Sequence, residues 1–263
     1  MYYKKNNRGG LHEKKCFLFL PFSFLFLLFT LTNAFAAETT SKFSLLFDEE
    51  VDKPYVLKHE TGEKVYEAFE IDSSGQKIDI PLDEYIIRQE SALTIEESQE
   101  NDLENTLNEN IIATSFSPDY FVKIRYGGQD GNTKVNGTRL KVTADLRGPA
   151  TVSVVETKTF TESFSGTYGY ALGEEIKYNA SFQWVKSVAN AKSLSYSLKI
   201  DSGKIGYIAF TPYINKTWGK SYIDTYNMVN QRIKSEYAGL VYGYSPKKTD
   251  FGFADGLYEV VQK

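Results

Sequence analysis

The chain has very few of the residues on which most metal and nucleophilic sites depend. Its 263 residues include one cysteine, Cys16, and two histidines, His12 and His59. Zinc sites of cysteine and histidine are excluded by this count, and a Ser-His-Asp triad would have to use His59, which we expect to be an exposed strand residue. The sequence contains no G-x-S-x-G motif and no phosphate-binding glycine loop. We therefore predict no metal, no cofactor and no enzymatic activity.

A long apolar run occurs in one place, Cys16–Leu31, and it is shorter than the roughly 20 residues that a spanning helix needs. Basic residues precede this run, and Ala34–Ala36 follows it as a small-x-small pattern. This arrangement is typical of a cleaved signal peptide. We predict a signal peptide over residues 1–36, a mature chain that begins near Ala37, and a secreted, extracellular protein without disulfides.

Charge is divided unevenly along the mature chain. Residues 38–115 include 20 acidic and 6 basic residues, a net charge of −14, whereas residues 116–263 include 13 acidic and 19 basic residues, a net charge of +6. The composition therefore predicts a boundary near residue 116, between an acidic N-terminal segment at 37–115 and a second domain at 116–263. Opposite net charges also predict that the two parts attract each other, with the acidic segment as a detachable cover. The alternative is that Glu38–Asn110 is an acidic solubilising region that contacts nothing.

The acidic segment has the signals of short strands and one helix. Apolar residues recur at helical spacing from Leu82 to Leu93, which predicts a helix. Glu96–Asn110 is highly charged and poor in apolar residues, so we interpret it as a linker. Three short strands separated by glycine-containing turns are predicted at Tyr55–Leu57, Val65–Ile71 and Lys77–Ile80.

The second domain is predicted to be an antiparallel β-sandwich-like domain, so the fold as a whole is mainly β. Its clearest pattern runs from Glu174 to Thr217. Ile176–Trp184 and Leu194–Ile200 alternate apolar and polar residues, and Asp201–Lys204 has the composition of a tight hairpin turn. Ile205–Thr217 is apolar on both faces, which is typical of a strand at the centre of a sheet.

Aromatic residues supply the candidate binding site. The chain has 19 tyrosines and 18 phenylalanines. Such side chains on a β-scaffold stack on sugar rings, enter a membrane interface or anchor a protein partner. The alternative for those on the central strand is that a second layer of structure covers them. The residues that we predict to bind a ligand are Tyr207, Tyr213, Trp218, Tyr242 and Tyr244.

Paired carboxylates leave one catalytic alternative, a glycan-cleaving enzyme. Glu174 or Glu175 would have to act together with Asp224 or Asp255 in a cleft. The two adjacent glutamates lie at the head of a predicted strand and would point to opposite faces of it, which is poor geometry for one shared glycosidic bond.

Three segments of the chain resemble small secreted proteins of Gram-positive bacteria that are known only as uncharacterised. These segments are KVTADLRGPATVSV at Lys141–Val154, GKIGYIAFTPYINKTWG at Gly203–Gly219, and the C-terminal GFADGLYEVVQK. The resemblance covers about half of the chain and implies no catalytic or binding residue. The serine- and threonine-rich ribbons are also similar, in architecture alone, to aerolysin-type β-pore-forming toxins. A β-pore-forming or membrane-active protein is therefore an alternative, in which Thr157–Gly166 and Glu174–Val185 would form a membrane hairpin.

These observations predict a secreted, non-enzymatic β-protein that acts by binding a surface. The partner would be a cell-wall glycan, a membrane or a protein surface. Basic residues are scattered over the second domain without a basic helix, so nucleic acid is not predicted as a partner.

Overall fold

The computed structural model describes residues 41–72, 74–92, 120–190 and 193–263. The predicted signal peptide and the predicted linker Glu96–Asn110 lie outside these residues, so both stay predictions. The described residues belong to one compact unit, Thr40–Lys263.

Strands dominate the described part of the chain. They are β1 (Phe43–Asp48), β2 (Lys53–Lys58), β3 (Glu63–Ile71), β4 (Lys77–Ile80), β5 (Tyr120–Tyr126), β6 (Gly131–Asn136), β7 (Leu140–Lys141), β8 (Leu146–Arg147), β9 (Ala150–Val154), β10 (Thr159–Thr161), β11 (Ser163–Ser165), β12 (Ser187–Ala189), β13 (Ser193–Ile200), β14 (Ile205–Asn227), β15 (Arg232–Pro246) and β16 (Gly256–Gln262). Helix α1 is described over residues 82–92, and α2 covers Gly173–Asn179. The fold is mainly β and antiparallel, which confirms the predicted class.

Strand β14 organises the main sheet, as its apolar composition on both faces predicted. Among the described residues, twelve strands form this sheet. The first part of β14 pairs with β16 on one side and with β7 and β8 on the other. From Tyr213 onward β14 pairs instead with β15 and with β6 and β5. We call the sheet formed by Ile214–Asn227 with β5, β6, β11 and β15 the distal sheet, and the remainder of the main sheet the proximal sheet.

The proximal sheet is covered on both faces, which gives the sandwich-like arrangement. On one face, Ile208 of β14 packs in a core with Leu198 of the β9–β13 pair. On the other face, Tyr207 and Ala209 pack in a core with Tyr85 of α1. Alternation along β14 sends neighbouring residues to opposite sides of the sheet, so one apolar strand supports both cores.

The strands of the acidic segment belong to the main sheet. The three strands predicted there correspond to β2, β3 and β4. Strand β3 pairs with β16, and β2 and β1 follow it toward the edge. The boundary predicted near residue 116 therefore does not separate two sheets, because backbone hydrogen bonds join strands from both sides of it.

The predicted strand Ile176–Trp184 is wrong, because its first half is helical and residues 180–184 belong to no strand. Residues Gly173–Asn179 form α2. A helix forms because Leu172 and Ile176, four residues apart, are both buried on one side of it. Tyr178, which the predicted strand would bury beside Ile176, is 91% exposed.

The segments of the alternative membrane hairpin are not paired with each other as a ribbon. Glu174–Val185 contains most of α2. Thr157–Gly166 contains β10 and β11, which pair with β12 and with β15 respectively.

Candidate functional site

Two of the predicted binding residues, Tyr207 and Tyr213, lie in the core under α1. Each is 6% exposed. Their hydroxyl groups donate hydrogen bonds to Glu63 and Glu70, respectively. Burial, together with the hydrogen bond to Glu63, raises the pKa of Tyr207 to about 12. These two tyrosines therefore offer no ring face to an external ligand in this structure.

The other predicted residues, Trp218, Tyr242 and Tyr244, lie together on one face of the distal sheet. In the β14–β15 register Trp218 is opposite Tyr242, and Lys216 is opposite Tyr244. Directly opposed residues of an antiparallel pair share a face and contact each other. The three aromatic side chains are partly exposed. We call Lys216, Trp218, Tyr242 and Tyr244 the aromatic platform.

The aromatic platform is flanked by a strand on each side. Thr133 and Gly131 of β6 lie opposite its β14 residues. Ser163 and Ser165 of β11 lie opposite its tyrosines and are exposed. Four adjacent strands, about 4.8 Å apart, thus present two rows of side chains on one face. Serine hydroxyls at the edge of these rows can donate or accept hydrogen bonds with a bound ligand.

Trp218 extends across the neighbouring strand because residue 131 is a glycine. A Cβ atom at Gly131 would lie 2.4 Å from Cζ2 of the indole, which no side chain permits. The indole therefore covers the β6 backbone with one side. The rest of the ring is partly exposed and is available for stacking.

Lys216 is buried beside the two tyrosines of the platform. Its Nζ lies 4.9 Å from the ring centroid of Tyr242 and 5.7 Å from that of Tyr244. Both distances are within the range of cation–π attraction. Burial lowers the pKa of Lys216. The two rings stabilise the ammonium group, and the lysine in turn orders the rings.

The opposite face of the distal sheet is covered by a core. Ile176 of α2 and Trp184 pack so closely over Gly243 that a Cβ atom there would lie 2.7 Å from each. The ring of Trp184 stacks on Phe164, and its Nε1 donates a hydrogen bond to Glu162. Since these contacts cover one face of the distal sheet, the aromatic platform lies on the other face with its rings partly exposed.

Beyond the platform the distal sheet narrows to three strands, which we call the finger. The finger consists of β5, residues 220–227 of β14 and residues 232–237 of β15. On the platform side Tyr222 lies opposite both Arg125 and Tyr237. The Arg125 guanidinium is 4.7 Å from the Tyr222 ring centroid. The alternation of aromatic and basic residues thus continues along the same face.

A third contact between a base and aromatic rings lies further along the finger. Phe121 and Tyr226 are opposite each other and their rings stack, with centroids 5.3 Å apart. The Nζ of Lys123 lies 5.3 Å from the Phe121 centroid and 5.1 Å from that of Tyr226. Lys123 is an exposed residue, so it remains accessible to a ligand despite these contacts.

Asp224 is a buried acid on this face, and it anchors arginines. It accepts hydrogen bonds from Arg125 at 2.8 Å, from Arg232 at 3.3 Å and from Ser235 at 2.5 Å. The hydrogen bond from Arg125 lowers the pKa of Asp224 to about 2, although burial acts in the opposite direction. The carboxylate stays ionised at neutral pH and holds both guanidinium groups on the finger.

Three of the four carboxylates considered for glycan cleavage are held by different cations, and the fourth, Glu175, accepts a hydrogen bond from the Tyr126 N–H at 3.0 Å. Glu174 pairs with Lys177 at 2.9 Å, and Asp255 pairs with Lys247 at 2.7 Å. Asp224 accepts hydrogen bonds from Arg125 and Arg232. Each of these three carboxylates therefore has a structural partner of its own.

A second charged cluster lies under α1 on the proximal sheet. The Glu259 side chain is 1% exposed and accepts hydrogen bonds from Lys58 at 3.0 Å, from Tyr85 at 2.8 Å and from Arg139 at 2.5 Å. Burial alone would raise the pKa of Glu259, but the charges of Lys58 and Arg139 outweigh it and lower the pKa. This cluster joins β2 and α1 to the C-terminal strand, and we assign it to stability.

Sequence reasoning missed Lys216 and the finger, although a signal was present. The even-numbered residues of β14 from Lys216 to Tyr226 read Lys, Trp, Lys, Tyr, Asp, Tyr. A period of two predicts that these side chains share one face. The order of residues along this strand is therefore enough to indicate an aromatic and basic face.

Comparisons with known proteins identify no relative, so the function has to be inferred from the geometry of the site. In residues 41–72, 74–92, 120–190 and 193–263, no group of His, Cys, Asp and Glu side chains is arranged to hold a metal ion, and no helix combines the length and apolar character needed to cross a membrane. A scan of protein-family models and searches of curated proteins and of solved structures found no match.

Proposed function

We propose that this protein binds an extended anionic polysaccharide outside the cell and does not cleave it. The ligand would lie on the distal face, which we define as the aromatic platform together with the finger side chains on the same side. The observation that carries the proposal is the period-two row of β14 from Lys216 to Tyr226, in which charged and aromatic residues alternate in register with bases and rings on neighbouring strands.

The chemistry of the distal face suits a polymer of charged sugars. Aromatic rings stack on the apolar faces of sugar rings, and lysine and arginine bind carboxylate, sulfate or phosphate groups. The distal face has a local excess of positive charge, although the whole chain has a net charge of −4. Its bases, set against the single acid Asp224, are Lys123, Arg125, Lys216, Lys220 and Arg232.

The length of the distal face favours a chain over a small ligand. The distance along β14 from Lys216 to Tyr226 is about 33 Å at about 3.3 Å per residue. Lys216 and Asp224 are buried, but exposed or partly exposed side chains recur from Trp218 to Tyr226, so a linear polymer can lie along the row. An extracellular polysaccharide also fits the export predicted from residues 1–36.

Non-catalytic binding is supported by the state of Asp224. The hydrogen bond from Arg125 lowers the pKa of this carboxylate to about 2, so it cannot be the general acid of glycan cleavage near neutral pH. Its oxygens already accept hydrogen bonds from Arg125, Arg232 and Ser235. We therefore assign it the role of positioning the arginines that bind the ligand.

The proposal is tested by calorimetric titration of the chain from Ala37 onward with polygalacturonate and with neutral dextran. Binding to the acidic polymer is expected to weaken at high salt. Trp218→Ala should weaken it about tenfold, since a stacked ring contributes about 1.4 kcal/mol. Gly131→Val should act in the same direction, because a side chain there displaces the indole.

Tyr178→Ala is the matched control, since Tyr178 is 91% exposed on α2, away from the platform. This variant should bind like the unaltered chain. Equal binding of dextran and polygalacturonate would contradict the anionic ligand. Tighter binding of single-stranded DNA than of any acidic polysaccharide tested, or no loss of affinity in Trp218→Ala, would overturn the proposal.

A further inference from the structure

The end of the finger exposes apolar side chains that the distal face does not use. Met228 is 71% exposed and Val229 is 73% exposed in the turn between β14 and β15. Ile233 and Tyr120, on the strands just behind the turn, are 53% and 46% exposed. We call these four residues the tip. Exposed apolar residues that cluster in this way are typical of a contact surface.

The turn that presents the tip is held by hydrogen bonds at its base. The Asn227 N–H donates to the Gln231 carbonyl at 3.0 Å, and the Gln231 N–H donates to Asn227 Oδ1 at 2.8 Å. Asn230 adopts a φ of 61° and donates its N–H to the Asn227 carbonyl at 3.0 Å. Met228 and Val229 are thereby projected outward by an ordered turn, so insertion would cost little further ordering.

Aromatic and basic residues follow the tip in a definite order. Tyr226 and Phe121 stack on each other about 7 Å behind the turn, at about 3.3 Å per residue. The exposed bases Lys123, Arg232 and Lys234 lie at the same level or just behind it. A bilayer surface changes over a similar depth from hydrocarbon to an interface that favours Tyr and then to charged headgroups.

The charge of the finger indicates the sign of the surface that it meets. Residues 120–126 and 220–237 include the bases Lys123, Arg125, Lys220, Arg232 and Lys234 and the acids Asp224 and Glu236, a net charge of +3. The whole chain has a net charge of −4. A basic finger on an acidic protein is attracted to an anionic surface in one orientation, with the tip foremost.

We propose that the tip docks on an anionic lipid bilayer, with Met228 and Val229 entering the boundary between headgroups and acyl chains. Tyr120 and Tyr226 would lie at the headgroup level, and Lys123, Arg232 and Lys234 would contact lipid phosphates. Trp218 of the aromatic platform would then lie about 33 Å behind the inserted Met228, at about 3.3 Å for each residue between them. Lys123, Arg232 and Tyr226 also belong to the distal face, whereas Met228 and Val229 belong to the tip alone, so substitutions at Met228 and Val229 test lipid docking separately from polysaccharide binding.

The test uses the chain from Ala37 onward, which contains the whole compact unit Thr40–Lys263 and excludes the apolar run Cys16–Leu31. The protein is sedimented with vesicles of phosphatidylcholine alone and with vesicles that also contain phosphatidylglycerol. It is expected to bind the anionic vesicles and to be released by salt. The double substitution Met228→Asp and Val229→Asp should reduce the bound fraction at least about tenfold, since it removes both inserted side chains.

A matched control changes exposed apolar residues elsewhere by the same charge. Ile87→Asp with Phe251→Asp is suitable, because these residues are 63% and 56% exposed and lie outside the finger. This control should bind vesicles like the unaltered chain. A fluorophore on Val229→Cys should shift its emission to shorter wavelength with anionic vesicles, which reports entry of the tip itself.

Three results would overturn lipid docking: equal binding to both kinds of vesicle, equal loss in the two double variants, or an unshifted fluorophore on a protein that has sedimented. Self-association that requires Met228 and Val229, without vesicle binding, would identify a second copy of the chain as the occupant and would also overturn it. Polysaccharide binding by the tip variant should be unchanged, so failure of lipid docking can be distinguished from failure of the proposed function.

Discussion

At the scale of single residues, Glu259 shows how a buried charge joins distant parts of the chain. Its carboxylate accepts hydrogen bonds from Lys58 of β2, Tyr85 of α1 and Arg139 of the loop before β7. A charge removed from water in this way is tolerated because cations and a hydroxyl replace its hydration. No local pattern in the sequence indicates such a contact, since Glu259 follows Tyr258 in an ordinary strand motif.

Glu259→Ala is expected to destabilise the protein by about 3–5 kcal/mol, because the buried ammonium group of Lys58 would lose its carboxylate partner and Arg139 would keep only Glu63. Urea unfolding monitored by circular dichroism measures the change. Glu50→Ala serves as the control, since Glu50 pairs with Lys204 while 80% exposed and should contribute at most about 1 kcal/mol. Equal midpoints for the two variants would contradict the assignment of Glu259 to stability.

Stability should also depend on pH through carboxyl groups whose pKa is lowered in the folded state. Hydrogen bonds from Arg125 to Asp224 and from Tyr66 to Asp48 lower both pKa values to about 2. Because the folded pKa lies below the unfolded value near 3.8, this stabilisation is present above about pH 4 and is lost as the pH falls toward 2.

The melting temperature should therefore fall between pH 4 and pH 2, as measured by scanning calorimetry at constant ionic strength. Asp224→Asn should show a shallower fall over the same interval, because one of the titrating groups is gone. A melting temperature that is constant or rises on acidification would contradict the lowered pKa values.

At the scale of elements, α2 shows where sequence pattern was insufficient. The alternation of Ile176–Trp184 satisfies a period of two, but Leu172 and Ile176 also satisfy a helical spacing. Acidic residues in the first turn of α2 favour the helix through its dipole. Tertiary packing decides whether a short segment that satisfies both periods becomes a helix or a strand. Here Gly243 leaves room for Ile176 against the distal sheet.

The two interpretations of this segment predict different effects for Ile176 and Tyr178. In the helix, Ile176→Ala should cost about 2–4 kcal/mol through a core cavity. Tyr178→Ala should cost at most about 0.5 kcal/mol, since an exposed side chain loses few contacts. Denaturant unfolding of the two variants measures the difference. Similar large losses for both would support a strand and contradict α2.

The candidate site was predictable in part. Trp218, Tyr242 and Tyr244 were among the aromatic residues predicted to bind a ligand, and they lie on one face. Tyr207 and Tyr213 were predicted with them but are buried, because the sequence does not say which face α1 covers. Strand β6 lies within Gly127–Gly137, whose glycine and asparagine content is typical of a turn, so the contact of Gly131 with Trp218 could not be foreseen.

At the scale of the whole molecule, strands from the acidic segment and from the basic remainder of the chain belong to one sheet. Ion pairs join the acidic segment to the rest of the chain, for example Asp48 with Lys204 and Glu63 with Arg139. Strand β3 of this segment is hydrogen-bonded to the C-terminal strand β16. A detachable acidic cover, as the opposite net charges suggested, does not fit strands that are integral to the sheet.

Removal of residues 37–115 should therefore prevent folding. The fragment Phe116–Lys263 would expose one edge of β16 and the core residues that pack under α1. We expect it to lack a cooperative thermal transition by circular dichroism, at low and at high salt alike. A fragment that unfolds cooperatively and binds the acidic segment in trans would contradict this expectation and restore the detachable cover.

The central claim, that the aromatic platform binds an acidic polysaccharide, is tested most directly by the fluorescence of Trp218. The chain has two tryptophans, so Trp184→Phe leaves Trp218 as the only indole, and Trp218→Phe leaves Trp184 under the opposite face. With Trp218 alone, titration with polygalacturonate should give a saturable change in emission and protection from acrylamide quenching. With Trp184 alone, neither change should occur. An unchanged Trp218 signal, or equal changes in the two variants, would contradict the claim.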